Sequence, residues 1–433
     1  MKIYAYPSDS AEKRIFSIIN RGVGFRKKDI QYVERILEDV RKGGDEALIK
    51  YVNQFDSPRL TADSLAVSPE EFAAAAKRAD RRFVGALNRA VHQIESFHRN
   101  QVRKSWITTA RPGTLLGQII NPVDAAGVYV PGAKGGMTPL VSSVLMGGIP
   151  ARIAGVPDIV MTTPPRKDGT VDPHLLVAAG KVGIHKVFKA GSAWAVGALA
   201  YGTQTIPRVD VIVGPGNIFV TLAKKIVSGT VGIDMIAGPS EILIIGDDSA
   251  HEDYIAADLL SQAEHDALAS SILLTDSADL AQRVSKAVET QISHLSRKDI
   301  ARQSLTKFGA IITVPDMAVA LSLANRIAPE HLELQVKNPF ELMGEIRNAG
   351  AVFLGEYTPE PVGDYIAGPN HVLPTAGTAR FASALSVDHF IKKTSILHYS
   401  REAFERESRD IVSLAEIEGL DAHANSVRVR LKK

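Results

Sequence analysis

The side chains best suited to chemistry are Gln262 and His265 in Ser261-Gln-Ala-Glu-His265, Glu330 and His331 in Ala328-Pro-Glu-His331, Asp364 in Gly363-Asp-Tyr365, and Glu418 and His423 near the end. Together they offer a zinc site built only from nitrogen and oxygen donors, beside an acid/base pair. The chain has no cysteine, which removes thiolate ligands and any thiol that could capture an aldehyde covalently. If such a site oxidises carbonyls, it must do so through the hydrate.

Each candidate has a plainer reading when taken alone. Gln262 and His265 are three apart on a helical segment, about 60° apart around its axis, so one cation could meet both. Amide oxygen is an uncommon zinc ligand, however, and such pairs are usually surface polar residues. Asp364 sits in the Gly/Pro-dense stretch Pro361–His371, read as a loop, where an Asp is usually a backbone cap. His423, close to the C-terminus, is unremarkable by default. Glu330 and His331 stand where a helical pattern gives way to strand alternation, and neighbouring side chains on a strand face apart. Both can serve one site only if the turn at Pro329 distorts the chain. Their ordinary pKa values, about 4.3 and 6.5, bracket the range useful for base catalysis near neutrality.

These side chains need a scaffold, and the chain is long enough for two or three domains. It has 433 residues, 45% hydrophobic and 23% charged, with 50 Lys and Arg against 48 Asp and Glu. A net charge of +2 gives no reason to expect nucleic acid or an anionic membrane as partner. The basic ending Arg428–Lys433 reads as a solvated tail. No signal peptide is visible, and no apolar run reaches the ~20 residues of a membrane span. A cytoplasmic enzyme is the expectation.

Strand patterns at Ala125–Val130, Asp158–Thr162, His185–Lys189, Val209–Val213, Ile242–Ile245, Ser271–Leu274, Ile311–Val314 and Ala351–Leu354 alternate with helical ones. The helical segments include Pro173–Val182, Ala193–Tyr201, Ile218–Val227, Asp253–Glu264 and Asp316–Ile327. This alternation predicts an α/β fold with mainly parallel sheets. The first hundred residues instead carry long amphipathic patterns at Lys28–Lys42 and Pro69–Arg99. From Ser386 onward the chain is too short to build its own core, so it must dock, and another subunit is one candidate. Gly-rich turns at Val130–Gly136, Ala190–Ser192 and Gly214–Asn217 each lie between a strand and a helix, where a phosphate can be received. None is a full dinucleotide fingerprint, since Phe219 stands where a third glycine would.

Six motifs occur together and in order: Tyr129-Val-Pro-Gly132, Gly214-Pro-Gly-Asn217, Asp234-Met-Ile-Ala-Gly-Pro-Ser-Glu241, Leu260-Ser-Gln-Ala-Glu-His265, Ala328-Pro-Glu-His-Leu332 and Asn370-His-Val-Leu-Pro-Thr375. With them the chain resembles the histidinol dehydrogenase family over nearly its full length. The resemblance implies a zinc-dependent, NAD-linked oxidation of L-histidinol through L-histidinal to L-histidine, the last step of histidine biosynthesis. It implies one Zn2+ per active site, held by Gln262, His265, Asp364 and His423, with Glu330 and His331 moving protons. Ser240, Gln262, His265, His331, Asp364, Glu418 and His423 would touch the substrate, and Tyr129, Trp194 and Asn217 the NAD. The implied assembly is a homodimer in which the C-terminal part of one subunit completes the other's site.

The implied fold is α/β, with two nucleotide-fold-like (Rossmann-like) domains and small helical N-terminal and C-terminal extensions. Its expected divisions are an extension at 1–25, a discontinuous domain at 26–128 plus 241–385, a nucleotide-binding-like domain at 129–240 and a dimerisation tail at 386–433. Two features depart from the family pattern, both on the cofactor side. Trp194 stands where the family usually has Gln, and an indole cannot reproduce an amide's acceptor. The loop Ala133–Pro139 also looks longer than usual. In the expected mechanism His331 takes the alcohol proton and Glu330 activates water to hydrate the aldehyde. A family member acting on another small alcohol, such as sulfopropanediol, is the alternative. A non-catalytic zinc and nucleotide-binding regulator is opposed by the Glu330–His331 pair, and a zinc hydrolase by the glycine turns.

Overall fold

The computed structural model describes residues 1–22, 24–57, 59–133 and 138–432. They form two compact units, one of 1–101 with 124–390 and the other of 102–123 with 391 onward. The first unit contains two parallel sheets. Its six-stranded sheet has the order Ile3–Ala5, Ala310–Thr313, Ser270–Thr275, Glu241–Gly246, His331–Gln335, Ala351–Leu354, all parallel. Helices cover both faces, and the strands divide their side chains between two cores by simple alternation. Leu243, Ile245, Leu332 and Leu334 pack with helix Met317–Ile327 on one face. Ile242, Ile244, Leu273 and Ile311 pack on the other, against helices Glu252–Ala263 and Ala278–Ile292. On strand His331–Gln335, the residues opposite Leu332 and Leu334 are His331, Glu333 and Gln335, all buried.

The second sheet runs Gly232–Ile233, Val211–Val213, Ala125–Tyr129, Asp158–Thr163, Lys186–Lys189, again all parallel. Helix Lys27–Tyr51 lays Val33, Ile36, Leu37 and Val40 into the same core as Leu199, Ile212 and Ala223. Spacings of three and four residues put these on one helical stripe. The expected α/β alternation therefore describes this unit.

The expected divisions differ from the contacts in three places. Strand Ile3–Ala5 pairs with Ala310–Thr313, so the first residues are an edge of the six-stranded sheet. Helix Lys27–Tyr51 shares the second sheet's core, whereas 26–128 was grouped with 241–385. The tail after 390 belongs with Val102–Val123: strand Ile391–Tyr399 pairs antiparallel along all of Thr114–Pro122, which also pairs Trp106–Thr108. The stretch Pro69–Arg99 is two helices, Pro69–Arg78 and Arg81–Arg99, because Asp80 caps the second through the N–H of Phe83 at 2.8 Å. The basic ending is a helix through Leu431. Of the long glycine loop, Lys134, Gly135, Gly136 and Met137 lie outside the described residues. Among the described residues, no helix is long and apolar enough to cross a membrane.

One glycine is fixed by close approach. Gly350 donates to Pro329 O at 2.9 Å, and an added Cβ there would lie 2.5 Å from the Glu330 carbonyl oxygen. Gly350→Ala should lower unfolding stability by about 1–3 kcal/mol in a denaturant titration. Gly344→Ala, with open space around it, should leave stability within roughly 0.5 kcal/mol of wild type.

Candidate active site

Strands Glu241–Gly246 and His331–Gln335 are neighbours, and their amino-terminal ends hold each other reciprocally. The backbone N–H of Glu241 donates to Glu330 Oε2 at 2.9 Å, and that of Glu330 donates to Glu241 Oε2 at 3.2 Å. Arg21 donates to Glu241 Oε1 at 2.7 Å, as does the N–H of Ala376 at 2.8 Å. Ala328, just before Pro329, has φ of +54°, a left-handed conformation that an L-residue adopts at a cost. This is the distortion that lets Glu330 and His331 share one site. Glu330 Oε2 lies 3.7 Å from His331 Nδ1.

His331 is held in one tautomer. Its Nδ1 is 2.9 Å from the carbonyl oxygen of Glu241, which can only accept, so Nδ1 carries the proton and Nε2 the lone pair. Nε2 faces Glu360, 3.9 Å away. Burial drives the imidazole pKa down to about 4, far from the ordinary 6.5 assumed from sequence. Burial also raises Glu330 well above the usual carboxylate range, helped by Glu241, Glu360 and Asp364. His331 is therefore a neutral base through the whole neutral range, while Glu330 becomes a base only as pH rises.

Asp364 lies on a short helix, Glu360–Tyr365, where a loop was expected. Glu360 and Asp364 are four apart and share its face. Donor atoms of His331, Glu360 and Asp364 lie within 4.8 Å of one another. One terminal atom of the Gln262 amide sits 2.9 and 3.2 Å from the two Glu360 oxygens. With nitrogen there, the amide donates to the carboxylate. With oxygen there, two oxygens meet, and only a proton or a cation between them makes the contact favourable. The rings of His265, His331 and His371 are close enough for a charge on one to oppose a charge on another. His371 Nδ1 is 4.0 Å from Asp364 Oδ1. Neutral imidazoles, an amide and clustered carboxylates are a donor set that suits zinc.

Two hollows meet these groups. One, of about 110 Å³, is lined by His331, Phe353, Asp364, Asn370 and His371. The other, of about 350 Å³, is lined by Asn217, Ser240 and His265, among others. Asn217 caps helix Ile218–Val227 through its carbonyl oxygen, at 3.0 Å from the N–H of Phe219 and 3.1 Å from that of Val220. Tyr129 is buried at the end of its strand, its hydroxyl accepting from Ser192 N–H at 3.0 Å. Trp194 is only 5% exposed, stacked on Phe55 and donating to Asp56 at 3.0 Å. Its indole is part of the hydrophobic core, with its one donor already used. Glu418 caps helix Arg401–Ile417 and His423 lies on helix Asp421–Leu431, both exposed and both in the second unit.

The structure thus brings together Gln262, His265, Glu330, His331 and Asp364, with Ser240 beside His265. Sequence reasoning missed Glu241, Glu360, His371 and Arg21. Glu360 had a signal, being four residues before Asp364. Arg21 had none, since only folding brings it across 220 residues to Glu241. If His265 is a zinc ligand, replacing it with Asn weakens zinc by more than the roughly 10–100-fold typical of outer-shell changes, measured by elemental analysis after dialysis against a chelator. Unchanged zinc content would exclude His265 as a ligand.

A family model described as histidinol dehydrogenase matches residues 21–431. Histidinol dehydrogenase of Desulfotalea psychrophila is 57% identical over 400 residues, covering 92% of each chain. That of Carboxydothermus hydrogenoformans is 51% identical over 401 residues, 93% of each. The crystal structure of histidinol dehydrogenase from Elizabethkingia anophelis superposes with a TM-score of 0.93 at 38% identity, over 100% of this chain and 98% of that one. The chain belongs to the histidinol dehydrogenase family and is an oxidoreductase enzyme.

Proposed function

We propose that the protein oxidises L-histidinol through L-histidinal to L-histidine, with two NAD molecules consumed per turnover at a site that holds one zinc ion. The observation that carries this reading is one hollow lined by Asn217 together with Ser240 and His265. Sharing one hollow supports reading Asn217 as a cofactor contact near the substrate and metal contacts. Gln262, His265 and Asp364 would hold the zinc with His423 of a partner subunit, and Tyr129, Trp194 and Asn217 would border the NAD. Bound there, the ion would supply electrostatic orientation of the substrate's nitrogen donors, and NAD the hydride acceptor.

The protein's own groups move the protons. His331 Nε2, unprotonated and aimed into the site, takes the alcohol proton in the first oxidation. Glu330, once ionised, draws a proton from water as it adds to the aldehyde, and His331, having passed its first proton to solvent, accepts the hydrate's proton in the second oxidation. With no cysteine in the chain, no thiol adduct competes with the hydrate. Glu241 and Arg21 keep both groups in register throughout. Exposed apolar side chains on the second unit, among them Trp106, Ile107, Leu397, Leu414 and Ile417, support a homodimer that covers this surface.

Incubation with L-histidinol should yield about two NADH per histidine, while a small diol such as sulfopropanediol should give none. One NADH per alcohol consumed, with aldehyde accumulating, would contradict the two-step reading. The pH profile should follow Glu330: burial raises its folded pKa above the usual carboxylate range, so the base form grows as pH rises and aldehyde turnover should rise with it. Because His331 stays neutral down to about 4, no further loss should appear near pH 6.5 from that residue. Glu330→Gln should remove the rising limb; a limb that survives the change belongs to another group.

A further inference from the structure

Beneath the acid/base pair lies a buried polar cluster that the proposed chemistry does not use. Glu333 and Gln335 follow His331 on the same face of its strand, and Asp258 stands one turn before Gln262 on the helix packed against it. Gln335 Nε2 donates to Asp258 Oδ2 at 2.8 Å and to Glu333 Oε2 at 3.0 Å. Asp258 and Glu333 thus share one amide nitrogen. Exposure is 8% for Asp258, 1% for Glu333 and 4% for Gln335, where an apolar core would ordinarily be expected.

The remaining oxygen of Glu333 shows what the cluster is for. Glu333 Oε1 accepts the backbone N–H of Glu360 at 3.0 Å. That N–H opens the helix Glu360–Tyr365; Pro359 precedes Glu360 as the N-cap and Pro361 follows it as the helix's second residue. Neither proline has an N–H, and Pro359 supplies no side-chain cap. Glu360 N–H is therefore the donor by which this helix start is tied to the sheet, and the helix carries both Glu360 and Asp364.

We propose that Glu333 is a positioning residue: braced by Asp258 and Gln335, it docks the start of the Glu360–Tyr365 helix and so sets where Asp364 meets the metal. The metal part of this inference rests on the zinc reading above; the docking part does not. A side chain that merely fills the core would give stability alone, whereas a positioning one also controls the helix.

The test compares Glu333→Leu with Glu333→Gln, which keeps an oxygen for the Glu360 N–H, and with Val284→Ala, a core truncation under the same sheet. Two quantities are read on full-length protein: zinc affinity by chelator competition, and hydrogen exchange at the Glu360 amide. Glu333→Leu should weaken zinc about 10–100-fold and speed Glu360 exchange. Glu333→Gln should keep most of both, and Val284→Ala should lower Tm while leaving both unchanged. If Glu333→Leu does not fold, Glu333→Asp, one methylene shorter, carries the same comparison. Wild-type zinc affinity and Glu360 protection in the Leu or Asp variant would overturn the proposal. Failure of the wild-type protein to bind zinc would instead sink the zinc reading, and Glu360 exchange would still decide the docking role.

Discussion

Everything at this site depends on two glutamates exchanging backbone hydrogen bonds across adjacent parallel strands. Glu241 and Glu330 each accept the other's N–H, and Arg21 is the cation that makes burying Glu241 tolerable. Removing one partner of such a buried pair costs about 3–5 kcal/mol, because the other charge stays behind. The arrangement fixes the Pro329 turn, and with it the tautomer of His331 through the Glu241 carbonyl. Parallel sheets usually bind ligands beyond their carboxyl ends. Here the acid/base pair sits at the amino ends of the six-stranded sheet. The candidate cofactor contacts Tyr129, Trp194 and Asn217 lie at or beyond the carboxyl ends of strands of the second sheet, so a cofactor held by them would make one site draw on opposite ends of two sheets.

Burial sets the electrostatics of this site in a consistent direction. Glu241, Glu330 and Glu360 are raised, Asp364 is pushed up to about 6, and His331 and His371 are pushed down to about 4. Desolvation is the largest cause in each case: every group is driven towards its neutral form. A divalent cation reverses that preference for the carboxyl groups nearest it. The Gln262 amide, with one atom against Glu360, is the side chain whose hydrogen bonding such an ion would change most.

Much of this was legible in the sequence, and the remainder failed for identifiable reasons. The buried strands at Glu241–Gly246 and Ser270–Thr275 were readable because both faces are covered and the apolar run is unbroken. Gln262 and His265 were readable by spacing, and Glu330 and His331 by their place after a proline. Asp364 was recognised as a candidate, but its helix was not, since Pro361 and Gly363 read as loop residues. The cluster of Asp258, Glu333 and Gln335 was invisible, because polar residues alternating with leucines on a strand look like a solvated face. Only the helix Glu252–Ala263 lying over them turns that face inward. Trp194 looked like an altered cofactor contact, yet Phe55 and Asp56, far off in sequence, absorb its ring and its N–H.

The most direct measurement of the central claim is anomalous diffraction at the zinc edge from crystals of the zinc-loaded protein. The peak should lie within bonding distance, about 2.0–2.2 Å, of Gln262 Oε1, a His265 nitrogen and an Asp364 oxygen, with Glu330 and His331 beside it and unligated. A peak on His331 and Glu360 in place of Gln262 and His265, or one elsewhere in the protein, would contradict the account.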